Sequence, residues 1–229
     1  MGRRRARRVR MGREPQPAML PPIIPIFPLP NVVLFPSVFL PLHIFEPRYR
    51  AMVRDALGGD RIIGMALLRP GWHDHGEGPP AVYQIGCAGL ITHAERLDDG
   101  RYNIVLQGIE KFRIAGEEEG AEYRRARIEP LLESLRQEDR TKLRDERRRL
   151  EALLAPASEM GAEAHLTGSM PDADLVNALA QYLELEPVER QALLERDGLV
   201  ARCRSLIDLI EMKTIASRGN WGGYGGIAD

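Results

Sequence analysis

Cysteine is almost missing from this 229-residue chain: Cys87 and Cys203 are the two present, far apart and in no paired motif. That excludes a disulfide framework, and both residues read as small buried hydrophobes in a reducing compartment. Long apolar runs are missing too. The most apolar stretch, residues 20–42, is interrupted by seven prolines. A membrane-spanning helix needs roughly 18 consecutive apolar residues and does not tolerate so many missing N–H donors. Arginines open the chain, but no uninterrupted apolar region and small-residue cleavage site follow, so no signal peptide is expected. The chain reads as cytoplasmic. A Gly-Lys pair is also absent, the lysines being Lys111, Lys142 and Lys213. These residues therefore contain no G-x-x-x-x-G-K-[ST] loop, which would supply the nest of N–H donors and the lysine that hold nucleotide phosphates.

What is present suits a folded, soluble protein: 44% apolar and 28% charged residues can bury a core without metal or disulfides. The length fits one large domain or two small ones. The charge is uneven. Residues 1–14 hold seven arginines and Glu14, a net of +6, so the rest carries −7 against a total of −1. This basic arm has no apolar period and reads as a solvated tail. Met11 and Met19 offer alternative starts for the chain. If nucleic acid is bound, the arm is the contact, because the acidic body would repel phosphates.

Two textures follow the arm. Residues 21–132 carry short runs rich in β-branched and aromatic residues, separated by Pro, Gly and Asp clusters: 23–27, 38–44, 61–68, 82–95, 101–107 and 123–130. They predict strands. Tyr102, Ile104 and Leu106 alternate with Asn103, Val105 and Gln107, a period of two, and Asp98-Asp99-Gly100 predicts the hairpin before them. Glu117-Glu118-Glu119 reads as a turn. One helix interrupts the strands. Pro47 opens it, Tyr49, Met52, Val53, Ala56 and Leu57 form its stripe, and Gly58-Gly59 stops it. Many short strands favour a small, largely antiparallel barrel or sandwich.

Residues 133–216 change to helical spacing. A charged helix over 134–154 has a thin stripe of Leu135, Leu143, Leu150 and Leu154, with Glu138–Lys142 and Asp145–Arg149 as i,i+4 pairs. Ser169 and Asp172 have capping-box spacing before a helix whose face is Leu175, Val176, Leu179, Tyr182 and Leu183. Pro187 opens a third helix, closed by Asp197-Gly198. Leu199, Cys203, Leu206, Ile207 and Ile210 mark a fourth, and together they predict a small bundle. Residues 217–229 read as a Gly-rich flexible tail.

The run IPIFPLPNVVLFPSVFLPLHIFEPRYRAMVRDAL (24–57) closely resembles the opening of the N-terminal, substrate-binding domain of Lon proteases. RIIGMALL, YQIGCAGLITHAERLDDGRYNIVLQGIEKFRI (83–114) and LVNALAQYLELEPVERQALLE continue the resemblance in order, over about residues 23–212. The form PLHIFEPRYR is similar to short bacterial proteins built of this domain alone. The resemblance implies an α+β fold, a PUA-like, mainly antiparallel β-barrel followed by a C-terminal helical bundle. It implies recognition of unfolded or partly folded polypeptide segments for a protease or chaperone. A related domain in cereblon receives ubiquitin-ligase substrates. Fold does not dictate function, and RNA binding and a cryptic hydrolase are the alternatives.

Candidate chemistry is thin. His73 and His75 with Asp74 or Glu77 offer metal-type donors, but their Gly- and Pro-rich loop reads as a solvated hairpin tip. None of the six serines, Ser37, Ser134, Ser158, Ser169, Ser205 and Ser217, lies in a nucleophile elbow. His43 and His93 fall within predicted strands, where a structural role is expected. No cofactor, metal or catalytic residue is therefore assigned. The candidate contacts are aromatic: Trp72, a large side chain in a polar loop, and Phe35, Phe39 and Phe45, close together in a Pro-punctuated strand region.

Overall fold

The computed structural model describes residues 20–71, 78–118, 120, 122–158 and 170–219. The order is β1 (Ile23–Leu29), β2 (Phe39–Ile44), α1 (Pro47–Leu57), β3 (Ile62–Leu67), β4 (Ile85–Arg96), β5 (Tyr102–Glu118), β6 (Arg125–Leu131), α2 (Gln137–Ser158), α3 (Asp172–Tyr182), α4 (Pro187–Leu194) and α5 (Leu199–Gly219). The strands lie in the order β2-β5-β4-β3-β1-β6, and β6 pairs again with β5. Five strands thus close a ring, with β2 attached outside it along the first half of β5.

The sheet is mainly antiparallel, as expected, and becomes mixed through one pair, β1 and β3, which run parallel. Parallel neighbours need a long crossover, and β2 and α1 lie within it. β5 also runs on to Glu118, past the expected end at Gln107. Gly108 reads in sequence as a breaker. In the fold it is a close approach: a Cβ there would stand 2.0 Å from the Phe35 carbonyl oxygen. Glu117 and Glu118 belong to this strand, not to a turn, and Glu117 accepts hydrogen bonds from the Arg124 guanidinium.

Alternate faces of the strands feed two cores. One joins Ile24, Ile26, Ile62, Ala66, Ala88, Phe112, Ala126 and Ile128, drawn from all five ring strands. The Phe112 ring crosses toward β3, which is not its neighbour in the sheet, and this is possible because positions 64 and 86 are glycine. A Cβ at Gly86 would lie 2.7 Å from Phe112 Cζ and 2.4 Å from the Met65 carbonyl. The other core includes Ile63, Met65, Ile91, Ile104 and Leu106 from the strands, Met52 and Val53 from α1, and Leu143, Leu150, Val176, Cys203 and Leu206 from the helices. Each such aliphatic side chain contributes roughly 1.5–3 kcal/mol by leaving water.

The helices pack around α5, with α2 lying along it. Their polar contacts differ from those the spacing suggested. Lys142 approaches Asp139 rather than Glu138, and Arg149 crosses to Glu211 on α5 at 2.8 Å rather than to Asp145. α3 takes Pro171 as its N-cap with no side-chain cap bond, while Asp172 accepts from Arg147 of α2 at 2.7 Å. Ser169 lies outside the described residues. α4 carries a reach-back the sequence reading passed over: the Glu186 N–H donates to the Glu189 carboxylate at 2.7 Å.

Candidate polypeptide-binding face

The three candidate phenylalanines separate. Phe35 is fully buried, its N–H donating to Gln181 of α3 at 3.3 Å and the Arg202 guanidinium lying 5.7 Å from its ring centre. It is a core residue and offers nothing to a partner. Phe39 is 49% exposed and Phe45 61% exposed. Strand alternation explains the contrast between the faces of β2: Leu40, Leu42 and Ile44 turn inward, while Phe39, Pro41 and His43 turn out. The Phe45 ring continues this row, stacking beside His43 with centroids 6.4 Å apart. Trp72, His73, Asp74, His75 and Glu77 lie outside the described residues; on either side of them Leu68 and Val82 form an antiparallel bridge.

The outward row runs along an outer strand, because β2 pairs with β5 and with no further strand among the described residues. An outer edge invites strand addition, but this one is blunted. The Tyr182 hydroxyl donates to the Phe39 carbonyl at 2.8 Å, so that carbonyl points to the outer edge. By the alternation of an antiparallel ladder Pro41 faces the same edge, and it has no N–H to give. Tyr182 was expected on the buried stripe of α3; it is 66% exposed and stands at the Phe39 end of the row. Two of the backbone positions on this edge are thus lost to a pairing strand, and the side-chain face is rich in apolar surface.

Beside this row, β5 and β4 contribute a hydrogen-bonded chain. In register, His43 faces Asn103 and Asn103 faces Glu95. Arg101 donates to His43 Nε2 at 3.1 Å. A guanidinium cannot accept, so Nε2 must, and the ring proton sits on Nδ1, which donates to Asn103 Oδ1 at 2.8 Å. The Asn103 amide then donates to Glu95 at 3.1 Å. Arg101 is itself held by Asp99 at 2.6 Å, and the Arg101 backbone N–H, with its guanidinium, keeps the Asp99 carboxyl below its ordinary value. His43 therefore has the structural role expected of it, in a network whose members lie up to 60 residues apart.

A second surface is a groove of about 810 Å³ between the start of α1, residues 79–84 and the β5–β6 connection, lined by Arg48, Tyr49, Pro80, Val82, Tyr123 and Arg124. Arg124 is committed there to Glu117 and to the Pro80 carbonyl, and Tyr123 donates to Asp55 at 3.1 Å. Its polar groups serve to hold the walls together. Among the described residues no three His, Cys, Asp or Glu side chains cluster as metal ligands, and no helix is long and apolar enough to cross a membrane. Burial pushes both the Cys87 and the Cys203 thiols up to about 12, which suits inert core residues rather than nucleophiles.

The profile of the ATP-dependent protease La (LON) substrate-binding domain matches residues 23–212, and the chain belongs to this family. Among curated relatives, a Lon protease 2 of Myxococcus xanthus is 27% identical over 85% of this chain, and a Lon protease of Trichlorobacter lovleyi is 30% identical over 83% of it. The chain spans 24% of the length of each. Two solved structures share the fold. The N-terminal domain of a Mycobacterium avium complex Lon protease superposes with a TM-score of 0.62 at 18% identity, covering 82% of this chain and 98% of that one. A Lon N-terminal domain protein from Xanthomonas campestris gives 0.54 at 23% identity, covering 82% and 97%. The α+β fold is that of Lon N-terminal domains.

Proposed function

We propose that this chain binds unfolded or partly folded polypeptide segments and performs no chemistry on them, as a cytoplasmic recognition module serving a protease or chaperone. The family's description as a substrate-binding domain supports the binding role. The observation that carries the reading is the row Phe39, Pro41, His43 and Phe45, exposed on one face of an outer strand whose edge is blunted against strand addition. Exposed aromatics in a row are costly to leave in water and are the side chains that anchor interfaces. Trp72 is a second proposed anchor. Nucleic acid would be met through the Arg-rich arm alone.

Fluorescence anisotropy of a labelled, permanently unfolded polypeptide titrated with the protein tests this. Wild type is expected to saturate, and Phe39→Ser/Phe45→Ser is expected to lose roughly 2 kcal/mol or more of binding while melting normally. Equal affinity of the two proteins, or competition by RNA in place of polypeptide, overturns the reading.

A further inference from the structure

The exposed row also bears on which polypeptides fit, resting on the binding role just proposed. The groups around Phe39–Phe45 are mostly neutralised. Glu46 pairs with Arg48 at 2.8 Å and Asp99 with Arg101 at 2.6 Å. Glu95 differs: it is exposed, accepts the Asn103 amide, and has no cation within ion-pair distance among the described residues. It lies in register with Asn103, which in turn faces His43, so it stands two strands from the aromatic row. Neighbouring strands are about 4.8 Å apart, so this is about 10 Å across the face. Gln107, Val105 and Asn103 of β5 form the floor between, half-buried and outward. A lysine or arginine of a segment lying over Val105 reaches that carboxylate. A residue on the aromatic row itself does not, and there it meets Arg101 beside His43.

The spacing of the row sets the rest. Phe39, Pro41 and His43 repeat every second residue, about 6.8 Å, and Phe45 extends the row to seven residues, about 20 Å. An extended ligand has the same repeat. Because the Tyr182 hydroxyl and Pro41 occupy the outer edge, the ligand is held by side chains rather than by backbone pairing, so its sequence is read loosely except where charge enters.

We propose that the β2–β5–β4 face selects extended, unfolded segments of about seven residues that lie over Val105 beside the aromatic row, with apolar side chains at alternate positions turned to Phe39 and Phe45 and a lysine or arginine at the end lying over Asn103, where Glu95 receives it. Acidic residues at that end are disfavoured by the same carboxylate. The partner class is thus the basic-flanked apolar strand of an unfolded protein.

The test uses the full chain and three blocked peptides that alternate valine or phenylalanine with serine and end in lysine, glutamine or glutamate. Wild type is expected to bind the lysine peptide about 3- to 5-fold more tightly than the glutamine peptide at low salt, the size of a solvent-exposed ion pair. The glutamate peptide should bind more weakly than either. Glu95→Gln keeps an acceptor for Asn103 and should bring the lysine and glutamine peptides to one affinity, as should 0.5 M salt. If wild type binds all three peptides equally and Phe39→Ser weakens all alike, the charge selection is overturned while the polypeptide-binding role stands. If Glu95→Gln weakens all three alike, Glu95 acts by holding Asn103 and His43, and the selection is again overturned. If none of the peptides binds, both readings fall.

Discussion

Within the strand ring, apolar side chains meet apolar side chains, with glycine wherever two elements touch too closely for a Cβ. Between the ring and the helices an apolar core continues, and a buried ionic cluster is added to it. Lys111 of β5 reaches out to the Glu133 carboxylate at 2.8 Å and to the carbonyls of Leu194 and Arg196 at the end of α4. Arg202 of α5, fully buried, donates to the same carboxylate, to Asn177 of α3 at 2.7 Å and to the Leu193 carbonyl at 3.1 Å. One carboxylate thus serves two buried cations, and burial lowers the Lys111 pKa. The two kinds of contact fail differently. Losing apolar volume costs in proportion to the space left; losing one partner of a buried ionic group strands the other in a low dielectric.

Removing Glu133 should give the largest effect. Glu133→Gln leaves Lys111 and Arg202 without a countercharge and is expected to cost about 3–5 kcal/mol in urea unfolding. Replacing all three by apolar residues of similar volume should cost less than this single change, since no charge is then stranded. A cost below about 1 kcal/mol for Glu133→Gln, small for a stranded buried charge, would break the comparison. On the apolar side, Phe35→Ala is expected to cost about 3–5 kcal/mol, whereas Phe39→Ala should stay within about 0.5 kcal/mol, as thermal melts of the two variants will show.

Glycine changes sharpen the contrast at intermediate size. Gly86→Ala drives a methyl against the Met65 carbonyl, and Gly64→Ala meets the tips of Ile24, Ile26 and Phe112. Backbone yields less readily than side-chain ends, so Gly86→Ala should approach the upper part of the roughly 1–3 kcal/mol range for overpacking and Gly64→Ala the lower part. Equal costs would show that the ring relaxes as a whole.

Alkaline pH probes the apolar cores in another way. The Cys87 thiol is raised from 9.0 to about 12 by burial. Its contribution is fully present below pH 9, where both states hold the proton. It is lost as pH rises from 9 toward 12, where the unfolded chain alone ionises. Stability should fall by about 1.4 kcal/mol per pH unit for such a thiol. Urea unfolding at pH 8, 9 and 10 measures the slope, and Cys87→Ala should lessen it while leaving the share of Cys203, which burial raises in the same way.

Much of this fold was legible where local chemistry decides. Pro47 and Gly58-Gly59 bracket α1 as expected, and the period of two placed the first half of β5. A barrel was expected from the number of short strands and from the resemblance, but the pairings that close it were not legible, because β6 finding β5 and β1 lying parallel to β3 are encoded by no local pattern. The site was half legible. Phe39 and Phe45 were singled out with Phe35 by their closeness in sequence. Their different burial could not be read, because β2 is apolar on both faces and Phe35 belongs to the loop before it. Tyr182 and Glu95 were missed as site residues: one sat on an apolar helical stripe, and the other gains meaning only from its register with Asn103 and His43.

The most direct test of the polypeptide-binding face is site-specific photocrosslinking. A photoreactive phenylalanine analogue is placed singly at Phe39, Phe45, Tyr123 in the groove, and Met212, whose side chain is exposed on α5. Each full-length protein is irradiated with a labelled unfolded polypeptide. The account predicts crosslinks from positions 39 and 45 and few from 123 or 212. Crosslinks confined to position 123 or 212, with 39 and 45 silent, would contradict it.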